Sequence, residues 1–81
     1  MKWQHSNRSE ADYRGAPLRI QKAFDKQARL LAENLLHPSL HAKKFDKAEN
    51  IWQARVTRNW RFYFKTENDT YIIVRIIPHP Q

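Results

Sequence analysis

The 81-residue sequence contains no cysteine. It therefore has neither a disulfide framework nor a thiolate metal site, a usage that fits a reducing compartment. One glycine, Gly15, and four prolines are too few for a collagen-like or linker-like chain. No apolar run approaches the roughly 18 residues a membrane span needs, and the start Met-Lys-Trp-Gln-His-Ser lacks the apolar stretch of a signal peptide. The expectation is a cytoplasmic protein with no membrane partner. Acidic residues are scarce as well: 8 Asp and Glu stand against 15 Lys and Arg, a formal charge of +7. An excess of that size keeps a protein soluble, and it also favours an anionic partner such as nucleic acid or an acidic protein. Its placement favours the partner. Lys43, Lys44, Lys47, Arg55, Arg58, Arg61 and Lys65 fall in a stretch whose only acids are Asp46 and Glu49.

Apolar residues are plentiful: 41% of the chain is hydrophobic, with three Trp, three Tyr and four Phe. That supports a packed core and a single domain over residues 1–81. The first half reads as helical. Asn7 or Ser9 can cap a short helix through about Arg14, with Glu10 and Asp12 in its first turn. Gly15 ends it, and Pro17 suits the start of a second helix. Ile20, Phe24, Ala28 (or Gln27), Leu31 and Leu35 then recur at three to four residues, opposite Lys22, Asp25, Lys26, Arg29 and Glu33. Asn34 and Pro38 bracket the end of this helix, and residues 37–41 form a loop.

The second half alternates at strand period. Ile51–Thr57, Trp60–Thr66 and Thr70–Ile77 are separated by polar turns, and a fourth short strand fits around Trp3. Short turns between neighbours imply an antiparallel meander. The predicted class is α+β: an N-terminal helical hairpin packed on a three- to four-stranded antiparallel sheet.

Alternation then sorts the side chains by face. Trp52, Ala54, Val56, Trp60, Phe62, Phe64, Ile72, Val74 and Ile76 are expected to face the helices. Gln53, Arg55, Arg61, Tyr63, Lys65, Tyr71, Ile73, Arg75, Ile77 and His79 are expected on the open face, provided that no bulge intervenes. Arginine is a planar fork that binds phosphate oxygens bidentately. His79 is the residue of this face with an ordinary pKa near neutrality, so it is the candidate proton donor or acceptor. Tyr63 or Tyr71 can stack on a base. The strands place no acid on this face, the histidines lack metal-ligand spacing, and no metal or cofactor is expected. RNA carries its own nucleophile, the 2′-hydroxyl, so a metal-free site suffices to cleave it.

Ile51-Trp52-Gln53-Ala54-Arg55-Val56-Thr57-Arg58-Asn59-Trp60-Arg61-Phe62-Tyr63-Phe64, followed by Asp69 to Pro80, resembles the C-terminal half of RelE/ParE-type toxins of bacterial toxin–antitoxin modules. Leu36-His37-Pro38-Ser39-Leu40 and the Lys43-Lys44 lead-in resemble the same family. The resemblance implies a ribosome-dependent, metal-independent mRNA endoribonuclease that inhibits translation and is held inactive by a cognate acidic antitoxin. By this resemblance Arg61 matches the family arginine that contacts the scissile phosphate, Arg55 matches a basic position one strand earlier, and His79 lies near the catalytic histidine of those relatives that have one. Lys43, Lys44, Lys47, Arg58, Tyr63, Lys65 and Arg75 are the candidate RNA contacts. Gln53 stands where some relatives carry a second basic residue, and Pro80 where some carry a tyrosine; with Gln81 last, no C-terminal helix is expected to contribute. The alternatives are a ParE-like gyrase inhibitor acting by protein binding, or a RelE-like protein with weakened catalysis.

Overall fold

The alternating segments from Ile51 onward form the centre of a five-stranded sheet in the computed structural model, which describes residues 1–79. The chain runs β1 (Lys2–His5), α1 (Asn7–Gly15), α2 (Leu18–Glu33), a 3₁₀ turn (Pro38–Leu40), β2 (Lys43–Asp46), β3 (Ile51–Thr57), β4 (Trp60–Glu67) and β5 (Thr70–Pro78). The strand order is β1-β5-β4-β3-β2. The α+β class holds, but the sheet has five strands and is mixed, because β1 runs parallel to β5 from Lys2↔Thr70 to His5↔Ile73. The other pairings are antiparallel. Residues 43–46, expected as a lead-in, form the outer strand β2.

Ser6, rather than Asn7 or Ser9, caps α1. Its hydroxyl accepts the Ser9 N–H at 3.1 Å, and Ser9 Oγ accepts the Ser6 N–H at 3.1 Å, so two orphan donors are satisfied reciprocally. Helix α2 follows the predicted stripe: Ile20, Phe24, Gln27, Ala28 and Leu31 are buried. Phe24 is the hub, edge-on to Phe62 at 5.3 Å and to Trp3 at 5.4 Å between ring centroids. Ala54, Val56, Phe62, Phe64 and Ile76 complete the core from the sheet.

Two expectations about faces fail at one bulge. Tyr63 pairs with Arg75 but Phe64 with Ile73, which leaves Val74 as an extra residue on β5. An inserted residue reverses side-chain parity on one side of it. Tyr71 and Ile73 therefore point into the core, while Ile72 and Val74, expected there, are only half buried. Burial removes Tyr71 from the base-stacking candidates. The two-residue turn between β4 and β5 places Asn68 at φ 54°, a left-handed conformation that asparagine tolerates. No helix of the described residues is long and apolar enough to cross a membrane.

Candidate functional site

Strand pairing puts two arginines side by side. Arg55 of β3 and Arg61 of β4 are direct cross-strand partners, and the next pair is Thr57 with Trp60, across a register shift that leaves Val56 as the extra residue. Like charges directly opposite each other destabilise a sheet, so this pair needs a reason. The two line a cleft of ≈ 480 Å³ together with His41, Ala42, Lys43, Gln53 and His79, none of them acidic. Burial, and then the neighbouring charge of Arg55, depress the pKa of Arg61, with Tyr63 acting weakly the other way.

Each side chain is set by an identifiable piece of backbone. Arg61 Nη1 donates to the carbonyls of Thr57 at 2.8 Å, Arg58 at 3.0 Å and Trp60 at 3.0 Å, which fixes its guanidinium against the β3–β4 turn. Arg55 is held through its own carbonyl, which accepts from Gln27 Nε2 at 2.9 Å. The same buried Gln27 amide donates to the Ser39 carbonyl at 3.1 Å and accepts from Ser39 Oγ at 3.1 Å, tying α2 and the 3₁₀ turn to the site strand. His79 follows β5, its backbone N–H donating to the Asn59 carbonyl at 2.7 Å. Arg55 Nε and His79 Nδ1 are both buried without a hydrogen-bond partner. Unpaired buried polar atoms are uncommon in folded proteins and call for an explanation.

His41 was not a sequence candidate. It ends the 3₁₀ turn in the left-handed region, φ 47° and ψ 43°. That conformation costs a side-chain-bearing residue on the order of 1 kcal/mol. Lys43 pairs with Gln53 across the β2–β3 ladder, and His41, two residues before it, lines the cleft with Arg55.

The remaining candidates lie elsewhere. Lys44 alternates to the other face, where its ammonium sits 5.3 Å from the Trp52 ring and donates to Asn50 Oδ1. Lys47 is exposed at the β2–β3 turn and Arg58 at the β3–β4 turn. Lys65 pairs with Glu67 at 3.2 Å. Tyr63 packs edge-on against Phe45 at 4.8 Å and lines a separate apolar hollow with Ile51, Val74 and Ile77. Arg75 turns to α1, where its Nε donates to Asp12 Oδ2 at 2.8 Å. The cleft thus collects Arg55, Arg61, Lys43 and His79 from the candidate list, adds His41 and Gln53, and excludes Lys44, Lys47, Arg58, Tyr63, Lys65 and Arg75. Among the described residues, no three His, Cys, Asp or Glu side chains are grouped to hold a metal ion. Pro80, the departure after His79, lies outside the described residues with Gln81, as does the question of a C-terminal helix.

This α+β fold, two helices on a mixed five-stranded sheet, is like that of RelE/YoeB-type toxins. The YoeB/ParE toxin from Agrobacterium tumefaciens matches at TM-score 0.80 and 15% identity, over 99% of this chain and 100% of that one. The YoeB dimer from Staphylococcus aureus matches at TM-score 0.81 and 13% identity, over 99% and 98%. The toxin–antitoxin complex RelBE2 from Mycobacterium tuberculosis matches at TM-score 0.79 and 18% identity, over 96% of each chain. No family model and no curated protein matches the sequence, so the likeness is one of fold.

Proposed function

We propose that this protein is a RelE/ParE-superfamily toxin of a toxin–antitoxin module, and that it cleaves mRNA on the ribosome without a metal. The observation that carries the reading is the Arg55–Arg61 cross-strand pair, opening with His79 into a cleft that no acid lines. Such a pair is unfavourable by itself and favourable around a phosphodiester, whose non-bridging oxygens accept from both guanidinium groups. The RNA 2′-oxygen attacks phosphorus as the bond to the 5′-oxygen breaks, leaving a 2′,3′-cyclic phosphate and a 5′-hydroxyl. Arg61 and Arg55 stabilise the charge that grows on the phosphorane, and His79 takes or gives a proton. Lys43, on the wall of the cleft, adds a further positive charge for the message backbone. The unpartnered Arg55 Nε and His79 Nδ1 favour this chemistry over gyrase inhibition, which needs no such groups.

The inhibitor in this reading is an acidic antitoxin that covers the cleft. It fits the +7 charge and the capture of the Mycobacterium tuberculosis neighbour in a toxin–antitoxin complex. Induced expression followed by primer extension on cellular mRNA tests the function. Cleavage at codon-phased positions, abolished in Arg61→Ala and in His79→Ala, is the expected result. Growth arrest with intact mRNA and damaged DNA would overturn it.

A further inference from the structure

We propose that His41 is the second proton-transfer group of the cleft, acting across the scissile phosphate from His79. The inference rests on the nuclease reading and deepens it. Cleavage by a 2′-hydroxyl moves two protons: one leaves the attacking 2′-oxygen, and one must reach the departing 5′-oxygen. A single imidazole can serve both in turn only by moving between two oxygens on opposite sides of phosphorus. Two imidazoles serve both at once. One accepts the 2′-hydroxyl proton as the 2′-O–P bond forms, and the other, entering as imidazolium, protonates the 5′-oxygen as the P–O5′ bond breaks. The pair exits with its protonation states exchanged, and proton exchange with water restores them.

The structure supplies the second imidazole in one place. His41 and His79 arrive from different elements, the 3₁₀ turn and the end of β5, and line the same cleft with Arg55 and Arg61. His79 Nδ1 is buried and unpartnered, while His41 is exposed to solvent at the cleft. His41 is also held in a left-handed conformation that its side chain makes costly, and strain of this kind clusters at functional sites. The neighbouring histidine is not equivalent. His37 uses its Nδ1 to accept the Ser39 N–H at 3.1 Å, and of the two hollows that His41 lines it borders only the one without the arginines. The ionisable groups around His41 are His37 on the turn, Lys43 on β2, Arg55 on β3, Arg61 on β4 and His79 after β5. All of them are basic.

The test measures mRNA cleavage on programmed ribosomes between about pH 5 and pH 9, the range over which histidine commonly serves as a general acid or base. The wild type is expected to give a bell-shaped profile. His41→Gln is expected to lose roughly 10²- to 10⁴-fold in rate together with one limb of the bell. His37→Gln should match the wild type. A His41→Gln enzyme at wild-type rate, or a slower one that keeps both limbs, would overturn the pair, the latter showing that His41 only positions the message. An inactive wild type would overturn the nuclease reading and the pair with it. A second measurement needs no turnover: adenosine 2′-monophosphate should shift the imidazole proton resonances of both His41 and His79. Movement of His79 alone would also overturn the pair.

Discussion

Arg55 and Arg61 face each other directly across β3 and β4, two guanidinium groups in a cross-strand pair with no acid lining their cleft. Pairing like charges in this way costs about 0.2–1 kcal/mol relative to a neutral pair. Arg55→Gln is therefore expected to raise stability by an amount in that range, read as a higher urea midpoint with an unchanged slope. The same substitution is expected to lower mRNA cleavage by roughly 10²-fold, the effect of removing one transition-state donor. A variant that is both less stable and fully active would show that the arginines stay together for structural reasons.

A different arginine is held by an acid. Beyond Ile73 strand β1 has ended, and Asp12 of α1 takes its place along β5: its Oδ2 accepts from Arg75 Nε at 2.8 Å and from the Ile76 N–H at 3.0 Å. The Asp12 side chain is 16% exposed and that of Arg75 32%, so solvent screens the pair only in part. Hydrogen bonds to charged groups contribute about 1.5–3 kcal/mol, and this exposure argues for the lower end: Asp12→Ala should cost about 1.5 kcal/mol. The pH dependence follows from the shift. Burial works to raise the Asp12 pKa, but the hydrogen bonds from Arg75 and Ile76 and the charges of Arg75 and Arg8 together hold it below the ordinary 3.8. A depressed carboxyl adds stability that is complete above the ordinary value and lost as pH falls through the folded one. Acid titration of unfolding should show a loss below about pH 4 that is smaller in Asp12→Asn.

Gln27 carries a third expectation. It sits among the apolar residues of α2 but joins the Ser39 and Arg55 carbonyls through one buried amide. Gln27→Leu fills the same space and strands those carbonyls, at about 1–3 kcal/mol for each buried group left unpaired. Because Arg55 lines the cleft and Ser39 belongs to the turn that ends at His41, mRNA cleavage by the variant should fall at temperatures where it remains folded. An unchanged rate would show that α2 supports the fold without positioning the site.

The same glutamine shows how far the sequence could be read. Its position fits the apolar stripe at helical spacing, so the stripe was legible, but no periodicity reveals a carbonyl 28 residues away. The meander from Ile51 to Pro78 was legible for a similar reason, since alternation is local and the turns are short. Strand β1 was harder: its partner, β5, runs parallel to it and lies at the far end of the chain. The bulge at Val74 left no local signal either, and it alone exchanged Tyr71 and Ile73 for Ile72 and Val74. Of the site, Arg55 and Arg61 were readable from parity within one hairpin. His41 was not, because its place depends on the short outer strand β2; the basic pair Lys43-Lys44 just before β3 was the available hint. Lys44 and Lys65 were clustered in sequence only, and alternation or a local acid takes each of them away from the cleft.

His5 tests the N-terminal half. Its ring stacks on Phe24 at 5.5 Å and lies edge-on to Trp3 at 5.1 Å, while Nδ1 is 2.7 Å from Ser9 Oγ in the cap of α1. Burial lowers its pKa below the ordinary 6.5, against the opposing pull of Glu10 and Asp25. The unfolded chain therefore binds a proton at a higher pH than the folded one does. Stability from this group is complete above about pH 6.5 and declines as pH falls through that value toward the folded pKa. Denaturant melts should show a falling midpoint on moving from neutral pH to about pH 5, above the range in which Asp12 titrates. His5→Phe keeps an aromatic ring against Phe24 and removes the proton, so its midpoint should be flatter across that window. At neutral pH the variant should be less stable by about 1 kcal/mol, the contribution of the hydrogen bond to Ser9. An identical slope in the two proteins would assign the decline to another group.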